Sequence, residues 1–153
     1  MKTDIPQTVY LKDYTPPAFL IDTVDLDFVI ETGSTTVTAT LAVRRNPAVA
    51  AQPLVLDGDE LETLSVAVDG QKWPFSETPT QLTLSDLPGA FTLTTEVRIQ
   101  PDSNTRLSGL YRSKDGYFTQ CEAQGFRRIT WFLDRPDVMS TYTVTLHADK
   151  EKL

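Results

Sequence analysis

Gln120 and Glu122, two positions apart, with Arg127, Arg128 and Asp134 following, are the residues of this chain best suited to holding a small charged group. A partly desolvated carboxylate selects for a cation, because leaving one partner of such a pair alone costs roughly 2–5 kcal/mol. Gln120 both donates and accepts hydrogen bonds, so it can grip part of a ligand and orient a neighbouring carboxylate. Taken singly, each has a bland alternative: Glu122 as a solvated strand-end charge, Gln120 as a polar residue on an open strand face.

Other chemistries find less support. One histidine, His147, and one cysteine, Cys121, cannot supply the imidazole and thiolate set of a catalytic zinc. His147 falls on the polar face of its segment with Thr141, Thr143 and Thr145, and reads as solvated. Cys121 points away from Gln120 by strand alternation and reads as a small buried hydrophobe rather than a nucleophile. No triad or phosphate-loop pattern is present. The acidic cluster Asp57-Gly58-Asp59-Glu60 lacks the ligand spacing of a calcium loop and reads as a turn.

The elements around the pair follow from spacing. Tyr117 to Cys121 is aromatic and β-branched enough for a strand, placing Gln120 and Glu122 on one face at its end. Phe126, Ile129 and Leu133 recur at helical intervals and Pro136 disfavours further helix, which predicts one short helix over residues 123–133. Arg127 and Trp131 then have the spacing of a stacked cation on the face away from Phe126. The arginines are read chiefly as supports that bond Asp134, Asp137 or loop carbonyls and fix the corner. Gly109 to Ser113 reads as a strand beside it, with Tyr111 and Arg112 in support.

The rest of the chain alternates apolar and polar residues between Gly, Pro and Asp turn signals. Val24, Leu26, Phe28 and Ile30 share a face, and Val37, Ala39, Leu41 and Val43 answer them in a hairpin. Leu64, Val66 and Val68 lead to a hairpin turn at Asp69-Gly70. Leu82 with Leu84, then Phe91, Leu93, Val97 and Ile99, and finally Tyr142, Val144 and Leu146 continue the pattern. The expectation is an all-β domain, a curved antiparallel sheet folded into a sandwich or saddle with one short helix.

With 153 residues and 40% hydrophobic content, the chain has the size of one domain with a real core. A formal net charge of −7, without basic clusters beyond pairs, argues against nucleic acid and anionic membranes as partners. No apolar run is long enough for a membrane span, the segment Met1 to Pro6 lacks the apolar core of a signal peptide, and the lone cysteine precludes an internal disulfide. A cytoplasmic location is expected.

Thr119-Gln120-Cys121-Glu122, then Arg127-Arg128 and Asp134-Arg135-Pro136, preceded by Gly109-Leu110-Tyr111-Arg112-Ser113, resembles the amino-terminal domain of the aminopeptidase N family of zinc exopeptidases, nearest its bacterial branch. The resemblance spans the chain; Trp131-Phe132 and Arg135-Pro136 depart from the Pro-Cys and Glu-Pro of many relatives. It implies a saddle-shaped domain over 1–153, cut short at its C-terminal end, from an enzyme that releases N-terminal amino acids from peptides. It also implies that Glu122 holds the substrate's free α-ammonium, with Gln120 beside it. Arg127, Arg128, Asp134, Tyr111 and Arg112 would support them. The Zn²⁺ site of the full-length enzyme, a His-Glu-x-x-His helix, and the Gly-x-Met-Glu-Asn loop are not in this sequence. The implied partners are peptides with a free N-terminus and the enzyme's own downstream catalytic domain, and the isolated chain should be inactive, binding no metal. A non-catalytic β-sandwich binding or scaffold module is the rival reading.

Overall fold

The computed structural model describes residues 10–150; the signal-peptide reading of Met1 to Pro6 lies outside them. The two longest strands are β1 (Phe19–Glu31) and β2 (Ser34–Arg45), an antiparallel hairpin that sets Val24 against Leu41, Leu26 against Ala39 and Phe28 against Val37. All six side chains are buried. A one-residue slip would turn this apolar set to water, so burial fixes the register. Burying each large aliphatic side chain contributes about 1.5–3 kcal/mol.

Short strands β3 (Leu54–Asp57), β4 (Glu62–Val68), β5 (Gln71–Lys72), β6 (Ser76–Glu77) and β7 (Gln81–Leu84) precede the long β8 (Ala90–Ile99). A second hairpin, β9 (Gly109–Ser113) with β10 (Gly116–Gln120), follows, and β11 (Thr141–His147) comes last. The large sheet has the order β11-β1-β2-β8-β4-β5, a smaller one the order β3-β7-β6, and β9 and β10 pair with each other. Leu54, Leu56, Leu82 and Leu84 from the small sheet share one core with Leu41, Leu93 and Val97 from the large one. The all-β sandwich expected from alternation is therefore present. Asp69 and Gly70, both at positive φ (50° and 77°), make the tight turn between β4 and β5.

Three local expectations are corrected. The sheet is not wholly antiparallel: β11 runs parallel to β1, with Tyr142, Val144 and Leu146 in register with Val24, Leu26 and Phe28. Leu64 does not share the buried face of Val66 and Val68, because the ladder to β8 is irregular between Thr63 and Ser65 and turns Leu64 outward. The helix expected over 123–133 is a single 3-10 turn, Phe126–Arg128. Ile129 and Leu133 are buried as their spacing implies, but helical bonding stops because Phe132 gives both its N–H and its carbonyl to Asp57 of β3.

Candidate functional site

β10 ends at Gln120, and the chain then turns sharply through Glu122 to Gly125. Strand alternation therefore stops short of Glu122, and a hydrogen bond joins the two predicted residues instead. The Gln120 side-chain amide donates to the Glu122 carbonyl oxygen at 3.2 Å. The Glu122–Ala123 peptide is cis. Both side chains are exposed, and the Glu122 carboxylate makes no hydrogen bond or ion pair with any described residue.

The turn is closed by the Gly125 N–H, which donates to the Cys121 carbonyl at 2.7 Å. A Cβ on Gly125 would lie 2.5 Å from the Gln120 carbonyl oxygen, so only glycine lets the chain fold back this closely. Cys121 packs against the core, and burial, followed by the Asp134 carboxylate, pushes its thiol pKa up. It is a poor nucleophile in this position.

Below the turn lies a set of ion pairs. Arg127 donates from Nε to Asp134 at 2.9 Å and from Nη2 to the Asp134 carbonyl, while its backbone N–H donates to the same carboxylate. Arg128 is buried and reaches Asp59 at 2.6 Å, Glu60 at 2.5 Å and the Ser108 carbonyl at 3.1 Å. Arg106 also pairs with Asp59 and Glu60. The Arg128 guanidinium holds Glu60 below the usual carboxylate pKa. Asp57 accepts from the Asp134 N–H and Asp59 donates its N–H to the Arg127 carbonyl, so the 57–60 turn clamps the corner from the small sheet. These acidic residues are a clamp that sequence separation concealed; the one available signal was their high local density.

Trp131 does not stack on Arg127. It is 1% exposed, with its ring lying on Gly58, where a Cβ would come within 2.1 Å, and its indole N–H donates to Thr63 at 2.9 Å. Tyr111 stacks on Phe118 across the β9–β10 hairpin at 5.9 Å, and Arg112 pairs with Asp102 at 3.4 Å while lying over Tyr117. Both stiffen the hairpin and neither reaches Glu122 directly. A cavity of about 270 Å³ is lined by Glu60, Glu62, Arg98, Asn104 and Arg128, away from Gln120 and Glu122. Its charged groups already pair with one another, Arg98 with Glu62 and Arg128 with Glu60.

Residues 20–153 match the Peptidase M1 N-terminal domain. The chain belongs to that family. Across 152 residues, this M1 N-terminal domain is 48% identical to an aminopeptidase N from Caulobacter vibrioides, covering 97% of the chain and 18% of the relative. Among solved structures it resembles aminopeptidase A of Legionella pneumophila in complex with aspartic acid, with a TM-score of 0.86, 27% identity and coverage of 93% of this chain and 17% of that one. An M1 zinc metallopeptidase from Deinococcus radiodurans bound to a Tyr-Ser-Ala substrate shares the fold, with a TM-score of 0.69 and 20% identity over 84% of this chain and 32% of that one. The chain thus spans less than a fifth of the length of the aminopeptidase N it matches.

Among the described residues no group of three or more His, Cys, Asp or Glu converges as metal ligands, and His147 is bonded to Asp27 at 2.9 Å on the outer strand. No helix among the described residues is long and apolar enough to cross a membrane.

Proposed function

We propose that this M1 N-terminal domain anchors the substrate of a zinc-dependent aminopeptidase, with Glu122 pairing the free α-ammonium of a peptide. The observation that carries this reading is the Glu122 carboxylate itself, exposed and bonded to no described residue, on a turn held by a clamp of ion pairs. Gln120 fixes the main chain at Glu122 through the bond to its carbonyl and leaves its side-chain oxygen to accept from the ligand. An ammonium held at a fixed point lets only the first peptide bond reach the reacting centre, which turns an anchor into exopeptidase selectivity. Family membership supports the same reading, since the Caulobacter relative is an aminopeptidase N.

In this proposal the residues 1–153 form the amino-terminal β domain of a longer cytoplasmic enzyme, and Zn²⁺ is held by its catalytic domain. The chain's part is binding and orientation, and alone it releases no amino acid. The test is Glu122→Ala in the full-length enzyme: kcat/KM for free-amine peptides should fall by roughly 10²–10³-fold, the rate equivalent of an uncompensated charge pair. An unchanged value would remove the anchoring role.

A further inference from the structure

The segment leading into β1 and the segment leaving the corner meet side by side. The Tyr14 hydroxyl donates to Asp137 Oδ2 at 3.0 Å, across 123 positions of sequence. Arg135 locks the pair: its Nε and Nη2 donate to the two Asp137 carboxylate oxygens at 2.8 and 2.7 Å, and Nη2 also donates to the Thr15 carbonyl at 2.8 Å. The Arg135 guanidinium lies over the Tyr14 ring, 5.9 Å from its centre. A bidentate arginine–carboxylate pair is fixed in direction as well as distance, so Asp137 meets the Tyr14 hydroxyl in one orientation. Asp137 raises the Tyr14 pKa, chiefly through that hydrogen bond, and the phenol stays protonated and donating. Farther along, Asn46, just past β2, donates from Nδ2 to the Pro17 carbonyl at 2.8 Å and from its N–H to the Ala18 carbonyl at 2.9 Å. Residues 14–18 are a strap pinned at both ends.

Tyr14 is exposed, and solvent-facing bonds of this kind contribute little to global stability. Their placement gives them a different use. Asp134, directly before Arg135, takes the Arg127 N–H and Nε on its carboxylate and Nη2 on its carbonyl. The next residue, Arg128, donates its N–H to the Gly125 carbonyl at 3.1 Å, and the Gly125 N–H closes the Glu122 turn on the Cys121 carbonyl at 2.7 Å. An unbroken run of hydrogen bonds and short chain steps therefore leads from Tyr14 to the turn that carries Glu122.

We infer that Tyr14 is a positioning residue for the anchoring carboxylate: the strap it pins to Asp137 and Arg135 fixes the exit of the corner and, through Asp134 and Arg127, the direction in which the Glu122 turn faces. The inference rests on the anchoring role of Glu122 for its effect on catalysis, and on the bond path alone for its effect on the corner. Tyr14 acts through these residues and not on the substrate. Coupling of this kind travels through contiguous bonded groups, and it is demonstrated only by measuring both ends.

Tyr14→Phe tests this, because it keeps the ring beside Arg135 and removes only the hydroxyl. In the full-length enzyme, amide hydrogen exchange at Gly125 and Arg127 should quicken by at least about threefold, while exchange across β2 and β8 stays as it was. Unchanged exchange at both residues would overturn the inference, whatever Glu122 does. For free-amine peptides kcat/KM should fall by about three- to tenfold, the rate equivalent of one lost hydrogen bond. Added to Glu122→Ala, the same substitution should lower kcat/KM no further, because the group it positions is gone. No fall in the otherwise unaltered enzyme, or an equal fall in both backgrounds, overturns the positioning role; the equal fall marks a merely structural contact. If Glu122→Ala alone leaves kcat/KM unchanged, the anchoring role fails, and the exchange rates still decide separately whether the strap holds the corner.

Discussion

The Gln120 side-chain amide donates to the main-chain carbonyl of Glu122 at 3.2 Å, joining a strand's last residue to the first residue of the turn beyond it. Gln120→Ala removes a neutral hydrogen bond worth about 0.5–1.5 kcal/mol, so kcat/KM of the full-length enzyme should fall by up to about tenfold. That is less than the loss at Glu122. Gln120→Glu should cost more than Gln120→Ala, since a carboxylate oxygen would face the carbonyl. Steady-state kinetics on one peptide series checks the ranking Glu122→Ala, Gln120→Glu, Gln120→Ala.

Gly125→Ala should destabilise the corner. Its Cβ would meet the Gln120 carbonyl oxygen at 2.5 Å, Ser108 Oγ at 2.9 Å and Cys121 Cα at 3.0 Å. Forcing atoms into such contacts costs about 1–3 kcal/mol. Gly89→Ala, where nothing lies within 4 Å, is the matched control and should leave urea unfolding unchanged. Equal midpoints for both variants would show that the turn relaxes freely.

Asn104 ties the loop before β9, with its amide donating to the Ser108 and Leu110 carbonyls at 2.8 Å each and its side-chain oxygen accepting from the Arg106 N–H. Asn104→Ala removes all three bonds, leaving the Ser108 carbonyl to Arg128 alone, and should cost about 1–3 kcal/mol. Chemical denaturation measures it. A loss below about 0.5 kcal/mol would mean that water replaces the side chain.

Acid should weaken the clamp. Glu60, held below its ordinary pKa chiefly by the Arg128 hydrogen bond, favours folding when deprotonated. Asp137 is lowered in the same way, first by Arg135 and also by the Tyr14 hydroxyl. This stabilisation is complete above the ordinary carboxylate range and is lost as pH falls through the lowered folded values. Tm should therefore drop as pH falls below about 4, and Glu60→Gln should make that drop shallower. An unaltered acid slope in Glu60→Gln would show that Glu60 contributes nothing to it.

Much of the fold was legible because burial on one face leaves a period of two in the sequence. The β1–β2 hairpin, the Asp69-Gly70 turn and the strand ending at Gln120 lie where alternation and turn chemistry put them. What escaped depends on partners distant in sequence. The helical spacing of Phe126, Ile129 and Leu133 marks burial but not helix, because Asp57 takes the Phe132 backbone groups. The spacing of Trp131 suits a cation stacked from Arg127, and nothing local reveals the groove at Gly58 and Thr63 that receives the ring instead. At the candidate site, the spacing that sets Gln120 and Glu122 on one strand face does not reveal the turn that begins beyond Gln120, and the pairing of Arg128 with Asp59 and Glu60 spans nearly half the chain. The parallel pairing of β11 with β1 was hidden for the same reason.

The Asp57–Phe132 bridge, with Asp57 also receiving the Asp134 N–H and Asp59 bonded to the Arg127 carbonyl, bears on transplantation. A protein engineer who moved only residues 119–136 onto another scaffold would carry the carboxylate but leave behind the turn that aims it. The smallest portable unit is two pieces, the loop around 57–60 and the corner, and substitutions in one should be accepted most readily when chosen together with the other.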